Sequence, residues 1–158
     1  MGFGLPAAMG AAMGHPGETV LCVSGDGSFQ MCIQELATCV HEGLNVKIII
    51  LNNNFLGMVR QWQELFYSRR YSEVGMKYFP DFVKIAEAYG ATGLRAENPS
   101  DVRATLEKGL STPGTVVMDI IVCKEANVDP MIPAGKAHYD LVTEPDEPAE
   151  AQDPRDLA

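Results

Sequence analysis

Only four of the 158 residues are cysteine, Cys22, Cys32, Cys39 and Cys123, and none forms a C-x-x-C pair or stands at zinc-finger spacing from a histidine. A metal knuckle and a dithiol redox motif are therefore unsupported, and the thiols read as reduced structural groups of a cytoplasmic protein. Basic residues are also scarce. Twelve Lys and Arg against 21 Asp and Glu give a formal charge of -9 and a pI near 4.7, which argues against a surface that displaces counterions from nucleic-acid phosphates. No apolar run reaches the roughly 20 residues that a membrane span needs. Residues 1–14 are uncharged but lack a basic leader, so neither a membrane anchor nor an export signal is expected. Two nucleotide motifs are missing as well: Gln30 stands where the third glycine of G-x-G-x-x-G belongs, and no G-K-[ST] loop occurs.

What remains is ordinary globular composition, 46% apolar and 21% charged, in a length that suits one domain. The acid is uneven: residues 124–158 hold nine Asp or Glu against three Lys or Arg, so the rest is nearly balanced. The chain opens inside an apolar, glycine-rich stretch, as expected of a piece of a longer polypeptide.

Hydrophobic periodicity alternates along the chain. Leu5 to Met13 reads as a small-residue helix, and Thr19 to Val23 as a buried strand ending in Ser24-Gly25-Asp26-Gly27. Phe29, Cys32, Ile33, Leu36, Cys39 and Val40 recur at helical spacing. Val46 to Leu51 is a continuous β-branched run, the mark of a parallel strand covered on both faces. Helices are expected over Gly57 to Tyr67, around Phe82 to Tyr89, and from an Asn98-Pro99 cap to about Leu110, with a last strand over Thr115 to Val122. This rhythm predicts an α/β fold, a parallel sheet with helices on both faces. The expected organisation is a domain over residues 1–123, a C-terminal segment over 124–142, and a disordered acidic tail over 143–158.

Chemistry is expected where two strands end. Gly25-Asp26-Gly27 closes one strand and Asn52-Asn53 closes the next, and in a parallel sheet both emerge at the carboxyl edge, where such folds bind ligands. Asp26 offers a carboxylate, Asn53 an amide oxygen and the region of Phe55 a carbonyl, a hard donor set suited to Mg²⁺ together with phosphate oxygens. Gly27 and Ser28 place N–H groups at a helix start, where a diphosphate is favoured. Either motif alone is commonly just a turn; their joint placement, one crossover apart, supports a metal-diphosphate site.

These motifs resemble the signature of thiamine-diphosphate enzymes. Within that superfamily, residues 1–8, 25–29, 51–53, 56–63 and 65–67, then Pro80-Asp81-Phe82 and Ala86 to Gly90, with Pro130-Met131 and Pro133, resemble the large catalytic subunit of acetolactate synthase (acetohydroxyacid synthase). The resemblance covers about residues 1 to 135. It implies the diphosphate-binding domain of the thiamine-diphosphate fold.

The same resemblance implies roles residue by residue. Asp26, Asn53 and the carbonyl of Phe55 would hold Mg²⁺; Gly25, Asp26, Gly27, Ser28 and Asn53 would surround the diphosphate. Met1 matches the methionine that wedges under the bent cofactor, Gly57 and Met58 would line the cofactor pocket, and Met58 and Trp62 would face the second substrate. An indole at the position of Trp62 is otherwise a common core residue of an amphipathic helix. The implied reaction condenses pyruvate with a second 2-keto acid, pyruvate or 2-ketobutyrate, with loss of CO₂, to give acetolactate or acetohydroxybutyrate for branched-chain amino acid biosynthesis. Thiamine diphosphate and Mg²⁺ are the implied cofactors, with FAD bound mainly outside this domain. A homo-oligomer of catalytic subunits is implied, and a regulatory small subunit is a further candidate partner. The family's activating glutamate belongs to a domain that this sequence does not contain, so no catalytic residue is expected here and the chain alone is expected to be inactive. Another thiamine-diphosphate-dependent decarboxylase or carboligase and a non-catalytic cofactor-binding module remain open.

Overall fold

Continuous β-branched runs make the centre of the sheet. Val46–Asn52 (β2) and Val116–Ile121 (β4) are buried along most of their length and pair in parallel, Ile48 opposite Val117 and Ile50 opposite Asp119. Val20–Gly25 (β1) flanks β2 and Thr92–Ala96 (β3) flanks β4, so four parallel strands run in the order β1-β2-β4-β3. This computed structural model describes residues 1–76, 78 and 80–142. The acidic tail expected over 143–158 lies outside the described residues.

Because side chains alternate across a strand, the central strands β2 and β4 feed two cores. Ile48, Ile50 and Val117 join Leu5, Phe29, Leu36 and Phe82 in the larger one, built with Gly4–Gly14 (α1), Asp26–Gln30 (α2), Glu35–His41 (α3) and Phe82–Ala88 (α5). Phe29 and Phe82 meet edge to face there, 5.6 Å between centroids. Val116, Met118 and Ile120 point the other way, with Val102 and Leu106 of Pro99–Ser111 (α6) packed against them. The parallel sheet with helices is as the periodicity predicts, but β1 is not the buried strand expected there, since Leu21 and Val23 are 54% and 62% exposed.

The chain divides into two units, Met1–Asn54 with Lys77–Val122, and Phe55–Met76 with Cys123–Ala158. The first holds the whole sheet. The second holds Gly57–Phe66 (α4). There Phe55 bridges Gly75 and Leu56 N–H donates to the Val74 carbonyl at 2.9 Å.

Three local features differ from expectation. The single helix expected across Phe29 to Val40 is two, α2 and α3, because Cys32, Glu35 and Leu36 donate to carbonyls three residues back and the chain tightens between them. Asn98 precedes α6 without a side-chain cap; its Nδ2 donates instead to Asp101 at 3.0 Å. β3 is a strand that the apolar periodicity does not predict, because its five residues offer one large apolar side chain, Leu94. Gly93 within it is required by close approach, since a Cβ there would lie 2.7 Å from the Val83 carbonyl oxygen of α5.

Candidate functional site

The register sets Gly25, the last residue of β1, opposite Leu51 of β2, so the two chain exits lie side by side at the carboxyl edge. Asp26 opens α2 and is 2% exposed. One carboxylate oxygen accepts from Gly27 N–H at 2.7 Å and the other from Asn54 N–H at 2.7 Å. Burial pushes this carboxyl up from its usual range; the N–H groups counter only part of that, and the charge of Asp119 adds to it. A cation at Asp26 would relieve the cost of a buried carboxylate.

Asn54 is held twice. Its N–H also points at Oδ1 of Asn52, 3.1 Å away, and its φ of 58° lies in the left-handed region that asparagine tolerates. Asn53, the expected amide ligand, precedes it. Phe55, whose carbonyl is the third expected ligand, follows it and begins the second unit. Asp26 thus fastens the residue between the two other expected ligands.

Ser28 accepts from Gly2 N–H at 3.1 Å, which brings the segment beginning at Met1 to α2; Met1 itself is 71% exposed. Gly25 is exposed, and nothing lies within 4 Å of a Cβ built on it. Gly27 N–H is engaged by Asp26, and α2 has only five residues, so the helix-dipole part of the diphosphate argument has little helix behind it.

Gly57, Met58 and Trp62 belong to the second unit. Met58 and Trp62, one turn apart on α4, are both exposed, Trp62 at 43% and edge to face with Phe66. The indole is therefore not a core aromatic of this chain. The buried face of α4 is polar instead. Arg60 pairs with Glu64 at 2.9 Å and lies over the rings of Phe55 and Tyr71, while Gln61 exchanges hydrogen bonds with the backbone of Val128 at 2.8 and 3.0 Å.

Four residues for which the sequence suggests no site role connect to the Asp26 site. Asn52 Nδ2 donates to Asp119 at 2.9 Å, Arg95 Nε donates to the other Asp119 oxygen at 3.0 Å, and Arg95 also binds Asp81 at 2.8 Å. With Asn54 they line an open cleft of about 290 Å³. The available signal was Asp119 itself, one acid inside the run Val-Val-Met-Asp-Ile-Ile, since a charge on a central strand needs a partner.

Among the described residues no group of three or more His, Cys, Asp or Glu could hold a metal. The donor set nevertheless fits Mg²⁺, which is commonly bound by one or two carboxylates, neutral oxygens and the phosphates of its own substrate. Asp26 would supply the carboxylate and Asn53 a neutral oxygen.

Comparison with known families decides the class. Residues 1–120 match the family model described as "Thiamine pyrophosphate enzyme, C-terminal TPP binding domain". The chain belongs to this family. As a TPP-binding domain it is similar to acetolactate synthase large subunits. It is 47% identical to that of Haemophilus influenzae over 90% of the chain and 45% identical to that of Cyanidium caldarium over 90%. It is also 48% identical to acetolactate synthase 2, chloroplastic, of Nicotiana tabacum over 92%. These matches cover 25%, 24% and 23% of the relatives, so the chain spans about a quarter of their length. No helix among the described residues is long and apolar enough to cross a membrane.

Proposed function

We propose that this TPP-binding domain supplies the Mg²⁺- and diphosphate-holding half of the cofactor site in an acetolactate synthase. The observation that carries the reading is the buried carboxylate of Asp26 bonded to the N–H of Asn54, between Asn53 and Phe55. In this reading Asp26, Asn53 and the Phe55 carbonyl hold Mg²⁺, and Gly25, Gly27 and Ser28 border the diphosphate. Met1 packs under the cofactor, Gly57 and Met58 line its pocket, and Met58 and Trp62 wall the approach of the second keto acid. When bound, thiamine diphosphate supplies the electron sink for decarboxylation and carbon–carbon bond formation. The protein's share is to hold and place the anion.

The substrates in this reading are pyruvate and a second 2-keto acid, pyruvate or 2-ketobutyrate, and the products feed branched-chain amino acid synthesis. FAD binds mainly outside this domain, and catalytic subunits associate as homo-oligomers, with a regulatory small subunit as a further partner. The exposure of Met1, Phe3, Met13 and Met31 in the first unit supports association, since an apolar surface of this kind marks a contact. The four free cysteines support a reducing compartment such as the cytoplasm.

The test is product analysis on the full-length product of the gene. With pyruvate, Mg²⁺ and thiamine diphosphate, acetolactate is expected. Acetaldehyde as the sole product would assign a simple decarboxylase, and no turnover together with retained cofactor binding would assign a binding module.

A further inference from the structure

Asp119 is 1% exposed on a central strand, yet it belongs to no expected cofactor contact. Its two oxygens face two different donors, Asn52 Nδ2 at 2.9 Å and Arg95 Nε at 3.0 Å. A carboxylate only accepts, so Asp119 dictates that the amino end of the Asn52 side chain faces it. The amide oxygen of Asn52 must then face the other way, where it accepts from Asn54 N–H at 3.1 Å. That same N–H meets Asp26 at 2.7 Å. The chain of bonds runs from the rim residue Arg95 through Asp119 and Asn52 to the turn that carries Asn53.

We infer that Asp119, held in place by Arg95, is a positioning residue for the Asp26 metal site, setting the orientation of Asn52 and through it the backbone of Asn54. The inference rests on the Mg²⁺-diphosphate reading of Asp26 and deepens it. Asp119 is not among the residues expected to hold the cation or the cofactor. In Asp119→Asn one of the two facing donors meets an amino group; if Asn52 turns over to avoid this, its amino end confronts Asn54 N–H. In that arrangement the turn loses the Asn52 acceptor, whereas an amino group aimed at Arg95 instead breaks the contact that holds residue 119 in place. Altering a group bonded directly to a metal ligand typically costs about 10- to 100-fold in metal affinity, and Asp119 acts one bond further out, so the low end of that range applies.

The test measures the Mg²⁺ concentration that half-saturates thiamine-diphosphate binding, by calorimetry on the full-length gene product, for the parent and for Asp119→Asn, Arg95→Lys and Gly93→Ala. Asp119→Asn is expected to raise the Mg²⁺ requirement about tenfold, and Arg95→Lys by a smaller factor, since lysine keeps the charge but loses the fork that reaches both Asp119 and Asp81. Gly93→Ala strains the strand that carries Arg95 but removes no donor or acceptor of the network, so it should lower stability and leave the Mg²⁺ requirement unchanged. A parental requirement in both network variants, or an equal rise in Gly93→Ala, would overturn the positioning role. If Asp119→Asn does not fold, Arg95→Lys decides alone. A parent protein that binds thiamine diphosphate without regard to Mg²⁺, or not at all, would instead overturn the reading of Asp26, and this inference with it.

Discussion

The backbone N–H of Asn54 lies 2.7 Å from a carboxylate oxygen of Asp26, across 28 residues of sequence. This bond joins the exits of β1 and β2 and fixes the residue between Asn53 and Phe55. It uses the main chain of Asn54, and the side chain's part is limited to tolerating a φ of 58°.

Asn54→Gly should therefore keep Mg²⁺-dependent cofactor binding close to the parent's, because glycine adopts this φ freely and keeps the N–H. Asn54→Val forces a β-branched residue into the left-handed region at a cost of roughly 1–2 kcal/mol, and affinity should fall about tenfold. Calorimetry on the two variants separates a backbone role from a side-chain one. Equal losses in both would mean that the Asn54 side chain is itself a ligand.

Asp81 caps α5, accepting from Val83 and Lys84 N–H at 3.0 and 3.3 Å, and pairs with Arg95. Partial burial pushes its carboxyl up, but Lys84 N–H, the Arg95 guanidinium and Val83 N–H together outweigh this and hold it below the usual aspartate value. A carboxyl lowered by folding contributes stability above its unfolded pKa and loses it as pH falls through the folded value. Asp81→Ala should cost about 1 kcal/mol at neutral pH, and urea denaturation across a pH series should show the gap closing in acid.

Gly93 is where α5 touches β3. A methyl group at this position would sit 2.7 Å from a backbone oxygen and 2.9 Å from Val83 Cα. Gly93→Ala should therefore destabilise by about 1–3 kcal/mol, the usual cost of overpacking, rather than stabilise as glycine-to-alanine changes do at open positions. Thermal melts of parent and variant check the sign.

How much of this the amino-acid sequence reveals depends on range. Asp26 and Asn53 are legible because each closes its own apolar run, and the alternation of runs implies that both runs end at one edge. The β3 strand is not legible, since Thr-Gly-Leu-Arg-Ala becomes a strand only by pairing with β4. Asp119 shows as an acid among β-branched residues, but Arg95 becomes its partner only through the register that sets the two opposite each other. On α4 the polar residues Arg60 and Gln61 are buried while Trp62 is half exposed, an inversion of the usual amphipathic order. It arises because Gln61 satisfies the backbone of residue 128, 67 positions away. Such contacts are set by tertiary structure and leave no local trace.

Trp62 tests substrate choice. In the proposed enzyme an indole beside the second-substrate approach favours 2-ketobutyrate, whose extra methylene is worth about 0.8 kcal/mol of transfer free energy, and up to roughly 1–3 kcal/mol in a fitted pocket. In the full-length gene product Trp62→Leu should lower the ratio of acetohydroxybutyrate to acetolactate by about tenfold in direct competition. A steady ratio with collapsed activity would make Trp62 structural.

The most direct measurement is calorimetric titration of the full-length gene product and its Asp26→Ala variant with thiamine diphosphate, each with Mg²⁺ and with Mg²⁺ chelated. The parent should bind only when Mg²⁺ is present, and Asp26→Ala should lose that binding while keeping its far-ultraviolet circular dichroism. A variant that binds as tightly as the parent, with the same response to Mg²⁺, would contradict the assignment of Asp26 and the function built on it.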